Sequence, residues 1–201
     1  MLKPLLSALG LLSLFMHPAS AEQVALKPQA EAMVKALGKA SCPLLHREQR
    51  SDGFKTEQIA FSHRGRFDQT ARAFTLFRIP CWLGAYNQGD AYVLFDSYGE
   101  GRIVPFAIPQ YDVAYVGEGF ETVRSITLRG YTAKWSVVLS RFDEKALEIS
   151  EFNKSRGLGD AYTTGVWRFE NGNFNLKTYS VDAAFDGRAD AKPVVNFEAS
   201  K

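Results

Sequence analysis

From Thr56 onward the chain consists of short runs of β-branched and aromatic residues, and Gly, Asp, Asn or Pro closes each run before it reaches helical length. The candidate strands are Thr56–Ser62, Ala73–Ile79, Ala91–Ser97, Arg102–Ala107, Thr122–Leu128, Lys134–Arg141, Ala146–Ile149, Gly165–Glu170 and Asn173–Ser180. This spacing predicts a mainly β fold, α+β at the margin: an antiparallel sheet, a sandwich or a partly open barrel. One helix precedes it. Over Gln29–Ala40, Ala30, Met33, Val34 and Leu37 recur at helical spacing while Glu31, Lys35 and Lys39 fall elsewhere, the pattern of an amphipathic helix. Pro28 suits its first turn, and Gly38 and Pro43 mark its end.

Local register is legible at Asn171-Gly172, a dipeptide suited to the two positive-φ positions of a type I′ turn. With that loop, Phe169 opposes Phe174 and Trp167 opposes Leu176 on a core face, while Arg168 and Asn175 point to solvent. Beyond Asp182 the alternation lapses. Val194, Val195 and Phe197 either add an edge strand, or Asp182–Lys201 is a mobile end.

Met1–Ala21 begins with Lys3, continues through Leu11, Leu12, Leu14 and Phe15, and ends at the small residues Ala19-Ser20-Ala21, the pattern of a secretory signal. The apolar stretch is too short for a hydrocarbon span of roughly 20 residues. The expectation is a protein cleaved near Ala21, periplasmic or secreted, with residues 22–201 forming one domain and no membrane span. Formal charge is +2, with acidic and basic residues interleaved, so no basic stripe gathers phosphates and nucleic acid is not an expected partner.

Export would place Cys42 and Cys81 where thiols oxidise, which predicts a Cys42–Cys81 disulfide. A reactive Cys42 with His46 as base would need both on one helix face, and Pro43 biases Cys42 away from helical geometry. No histidine or thiolate set has metal-ligand spacing, so no metal is expected; His63, between Ser62 and Arg64, reads as solvated. No phosphate-binding glycine loop or serine elbow occurs, and no cofactor is expected. Asp143, Glu144, Glu148 and Glu151 read as a solvated acidic surface.

Two segments stand out. In Cys81-Trp82-Leu83-Gly84-Ala85-Tyr86-Asn87 a half-cystine, two aromatic residues and an amide fall together at a strand end. Trp82, Tyr86 and Asn87 could line a groove, or the segment is a turn where Gly84-Ala85 allow close approach of another chain segment. In Lys154-Ser155-Arg156-Gly157-Leu158-Gly159-Asp160 the glycines permit a compact loop, Asp160 can accept loop amides and Arg156 can pair with a carboxylate. Lys154 and Arg156 alternatively form a small cationic spot.

Together with Trp167–Phe174 these segments resemble, in order, the signature of domain-of-unknown-function family 1176, exported bacterial proteins without an assigned activity. The resemblance covers roughly Phe77–Tyr179. It implies an exported location and supplies no catalytic residue. The family pattern has Cys-Gly after the loop aspartate where this chain has Ala161-Tyr162, which leaves Cys42 as the intramolecular partner for Cys81.

The expectation is a non-enzymatic binding or interaction module for an envelope protein or small ligand, using Trp82, Tyr86, Asn87, Lys154, Arg156 and Asp160. Two alternatives are an envelope hydrolase acting on glycan or peptide through Asp160 and Glu151, and an inhibitor that inserts a loop into a cell-wall lytic enzyme.

Overall fold

The computed structural model describes residues 19–47 and 54–198. A helix α1 (Ala19–Lys35) and a 3-10 turn (Pro43–His46) precede the strands β1 (Glu57–His63), β2 (Arg72–Leu83), β3 (Gln88–Phe95), β4 (Gly101–Ile103), β5 (Phe106–Tyr115), β6 (Val123–Lys134), β7 (Ser136–Val138), β8 (Arg141–Asp143), β9 (Glu148–Lys154), β10 (Tyr162–Glu170), β11 (Asn173–Asp182) and β12 (Lys192–Asn196). The first sheet has the order β1-β2-β3-β4, with β7 pairing the first half of β3 on the edge whose second half pairs β4; the second has the order β12-β11-β10-β9-β8. Every pairing is antiparallel. A β5–β6 ribbon leans on the second sheet, where the Tyr115 hydroxyl donates to Ala183 O at 3.0 Å.

Alternation explains the layering. On β2 and β3, Leu76, Tyr92 and Leu94 face the second sheet and pack with Phe106, Ile149, Trp167 and Phe169. Their neighbours Phe77, Ile79, Val93 and Phe95 face the other way and bury Ala30 and Val34 of α1. The two central strands are therefore covered on both sides, which is why they read as near-continuous apolar runs. The result is a sandwich with one helix on its outer face. No helix among the described residues is long and apolar enough to cross a membrane.

The helix keeps its predicted buried face but shifts its bounds. Its last turns tighten, Leu37 N donating to Val34 O and Gly38 N to Lys35 O, and Gly38 adopts φ +91°. Pro28 lies inside the helix instead of in its first turn. The helix also runs through Ala21; residues 1–18 of the expected signal lie outside the described residues.

Two expected strands are broken. Pro105 has no N–H for the ladder, so Arg102–Ala107 divides into the end of β4 and the start of β5. The Lys134–Arg141 run divides between the end of β6, β7 and the start of β8, and Leu139 takes a left-handed φ of +42° at the break. The Asn171-Gly172 hairpin has the predicted register, with φ of +51° and +84° at the two loop residues and a bulge between Val166 and Trp167. The tail is an edge strand: β12 pairs with β11 and buries Val195. Cys42 and Cys81 form the predicted disulfide, 39 residues apart in sequence and buried under α1.

Candidate functional site

The two segments singled out in the sequence meet at one edge of the sandwich. The β2–β3 turn is closed by Gly84 N donating to Asn87 O at 2.7 Å. That closure aims the Asn87 amide at the end of β9, where Nδ2 donates to Lys154 O at 2.9 Å and to Asn153 Oδ1 at 3.2 Å, and Oδ1 accepts from Lys154 N at 3.3 Å. Alongside it the Tyr86 hydroxyl donates to Ser155 O at 2.8 Å. Within the β9–β10 loop Arg156 grips Asp160 with two N–H groups, Nε to Oδ1 at 2.7 Å, and its guanidinium lies over the Phe185 ring. Asp160 is buried and also accepts from Gly187 N at 2.9 Å. The Arg156 hydrogen bonds hold its carboxyl well below the usual carboxylate range, with the Gly187 N–H adding to them.

Tyr86, Asn87, the Lys154 backbone, Arg156 and Asp160 therefore gather at one place, and their polar atoms named above are spent on bonds within the protein. The arrangement is a clasp between a turn of the first sheet and a loop of the second. Trp82 is not part of it. Its indole lies flat over Gly89, where a Cβ would come within 2.0 Å of Nε1, and it lines a separate recess with Trp135, Leu37 and Ser41.

Glu151 departs from the expected acidic surface. Alternation along β9 turns it inward, where it is buried and accepts from Val138 N at 3.2 Å. Asp160 lies beyond the Lys154–Tyr162 pair and Glu151 three ladder pairs before it, roughly 10 Å along the strand, and the two share no hydrogen-bond partner. They do not form an acid–base pair.

A second buried carboxylate, Asp90 on β3, accepts from Ser140 Oγ at 2.8 Å and from Gln88 Nε2 at 2.7 Å, and Ser140 Oγ also meets the Tyr92 hydroxyl at 2.8 Å. The strap 136–140 is thus held by one carboxylate from each sheet, through Val138 and Ser140. Sequence reasoning missed this because each partner lies far away in the chain.

Burial pushes the Glu151 carboxyl up to about 7 from its ordinary 4.5, against the opposing pull of the Val138 N–H; Asp90 is raised by the same cause. Between pH 4.5 and 7 the folded protein holds a proton on Glu151 that the unfolded chain has released. Glu151 therefore contributes stability that is fully present below pH 4.5 and is lost as pH rises through 7. Glu151→Gln, which stays neutral, is expected to flatten that slope and to raise stability at pH 8 by something on the order of 3 kcal/mol. Urea unfolding of both proteins between pH 4 and 8 checks it; parallel curves would refute the assignment.

A cleft of about 490 Å³ lies at one end of the sandwich. Three turns form its walls: residues 65–68 between β1 and β2, residues 96–98 between β3 and β4, and residues 171–172 between β10 and β11, with Asn173 at the start of β11. Its floor includes Phe74, His63 and Arg102. His63 is half-buried, edge-on to Phe169 at 5.2 Å, and is not the solvated side chain expected. Arg102 donates to Gly172 O, tying the two sheets across the base. Beneath it, Phe74 packs with Phe169 at 4.8 Å and with Phe61 at 5.5 Å, and Phe61 with Phe169 at 5.0 Å, a rigid aromatic footing. No sequence-predicted site residue lies here. The one available signal was Arg64-Gly65-Arg66-Phe67-Asp68, a charged loop with an aromatic residue between two strands.

A family model described as "Protein of unknown function (DUF1176)" matches residues 16–195, a wider span than the resemblance over 77–179. No curated protein and no solved structure matches the chain.

Proposed function

This chain belongs to the DUF1176 family of proteins of unknown function, and from that premise we propose that it is a non-enzymatic binding module working outside the cytosol, with the three-turn cleft as its ligand site. The observation that supports the reading is the division of labour between the two ends of the molecule. At the clasp, Tyr86, Asn87, Arg156 and Asp160, expected to bind a partner, are bonded within the protein. At the cleft, turns from both sheets surround about 490 Å³ of open space, a size suited to a small ligand.

A sandwich with loops gathered at one end is well suited to this role, because the strands fix where each loop begins and ends and the loops supply recognition. The leader-like N-terminus and the Cys42–Cys81 bond support the extracytosolic part. Amide-resolved NMR of the disulfide-bonded protein with a mixed fragment set tests the site. Shifts are expected to concentrate in residues 64–72, 96–102 and 171–174. Shifts confined to residues 84–87 and 154–160 would return the site to the clasp and refute the proposal.

A further inference from the structure

Resting on the cleft reading, we infer that the cleft takes a small anionic ligand, a carboxylate or phosphate monoester attached to an apolar ring, with Arg66 and Arg102 receiving the charge. The argument is one of charge accounting. Five charged side chains line the cleft: Arg66, Arg72, Arg102, Asp68 and Asp96. Both carboxylates are already engaged. Asp68 pairs with Arg72 at 2.7 Å, and Asp96 Oδ1 accepts from Tyr98 N at 2.9 Å and Glu100 N at 3.0 Å, closing its own turn.

That leaves Arg66 and Arg102, neither of which has a carboxylate partner among the described residues. Arg102 is half-buried and uses an N–H of one terminal nitrogen on Gly172 O, so its planar fork is positioned while other donors remain. A fixed, partly desolvated guanidinium outside any ion pair is a ready receiver for an oxyanion.

The rims supply the second half of the recognition. Phe67 on the β1–β2 turn is 91% exposed and Tyr98 on the β3–β4 turn is 83% exposed, so two large rings stand in water on separate walls of one cleft. Isolated exposed apolar residues need no explanation, but here two aromatic rings flank two guanidiniums that no ion pair holds, in a cleft whose lining carries a net positive charge. An anion seated between the guanidiniums places an attached ring within reach of these faces. Arg66 already lies over the Phe67 ring, 5.8 Å from its centroid, which keeps that guanidinium at the rim.

The test is a titration at low ionic strength with phenyl phosphate, benzoate, inorganic phosphate and neutral benzyl alcohol, read by amide shifts and by calorimetry. Phenyl phosphate or benzoate is expected to saturate the cleft at least about fivefold more tightly than benzyl alcohol, and Arg102→Gln to weaken it about tenfold. Arg66→Gln, on an exposed turn, gives a second variant if Arg102→Gln impairs folding. A preference for one anionic probe identifies the source, phosphate or carboxylate, and inorganic phosphate binding equally well removes the ring from the proposal. Benzyl alcohol binding in the cleft as tightly as the anions, with both variants unaffected, would overturn the anion assignment and leave the cleft reading standing. Silence of the cleft amides towards every probe would overturn both.

Discussion

Trp167→Ala is expected to lower the unfolding free energy by about 3–5 kcal/mol, the range for truncating a fully buried aromatic residue. Trp167 is 0% exposed and sits where the second sheet meets the β5–β6 ribbon. It belongs to β10 in the second sheet, it meets Phe106 of the β5–β6 ribbon edge-on at 5.2 Å, and its Nε1 donates to Ala107 O at 3.1 Å. Gly165 makes room for the ring, since a Cβ there would lie 2.5 Å from the indole. Alanine would leave a cavity between layers and an unanswered carbonyl on the ribbon. Trp167→Phe keeps most of the volume and loses the hydrogen bond, so a smaller loss of about 1–2 kcal/mol separates the two contributions. Urea denaturation gives both numbers. An alanine midpoint within error of wild type would mean that the sheet interface does not depend on this residue.

The contrast between Trp167 and the cleft shows what a sequence of this kind reveals. Trp167, Phe169, Phe174 and Leu176 were readable because hairpin chemistry and strand alternation are local, and the Asn171-Gly172 turn fixes both at once. Breaks in strands were less readable. Pro105 and the left-handed Leu139 interrupt runs whose composition alone suggests continuity, and along β5 a bulge between Gln110 and Tyr111 shifts the phase from Phe106 and Ile108 to Tyr111, Val113 and Tyr115.

At the clasp, residue types were recognisable but their use was not. Asn87, Arg156 and Asp160 can bind a ligand or other parts of the chain, and only the fold, by bringing residues 84–87 against 153–160, commits Asn87 to the Lys154 backbone and Arg156 to Asp160. The cleft was invisible for a related reason. His63, Asp96, Arg102 and Gly172 are spread over more than a hundred residues and become neighbours when three turns from two sheets end at the same edge. Glu151 illustrates the same limit: in a polar stretch it reads as surface, yet strand phase turns it inward to meet Val138.

Opening the Cys42–Cys81 bond is expected to cost about 4 kcal/mol, because cross-linking residues this far apart removes that much chain entropy from the unfolded state in the loop-closure account. Against a total stability of about 5–15 kcal/mol for an ordinary domain, this is a large fraction. The loss falls unevenly. The bond ties the start of the 3-10 turn to β2, and around it Val34, Phe77 and Ala91 form the small cluster that seats α1. With Pro28 inside it, that helix lacks one backbone hydrogen bond and depends on this packing.

Treatment with dithiothreitol, or the double change Cys42→Ala and Cys81→Ala, should therefore lower the urea midpoint and speed amide exchange in residues 30–45 before it reaches β10 and β11. Exchange that rises uniformly would instead make the helix layer and the sandwich one cooperative unit, and an unchanged midpoint would show that the sheets hold the fold alone. A chain that draws this much stability from a disulfide works best where the bond persists. Reduction that unfolds the helix layer would thus strengthen the proposal of an extracytosolic site of action, and indifference to reductant would remove that support.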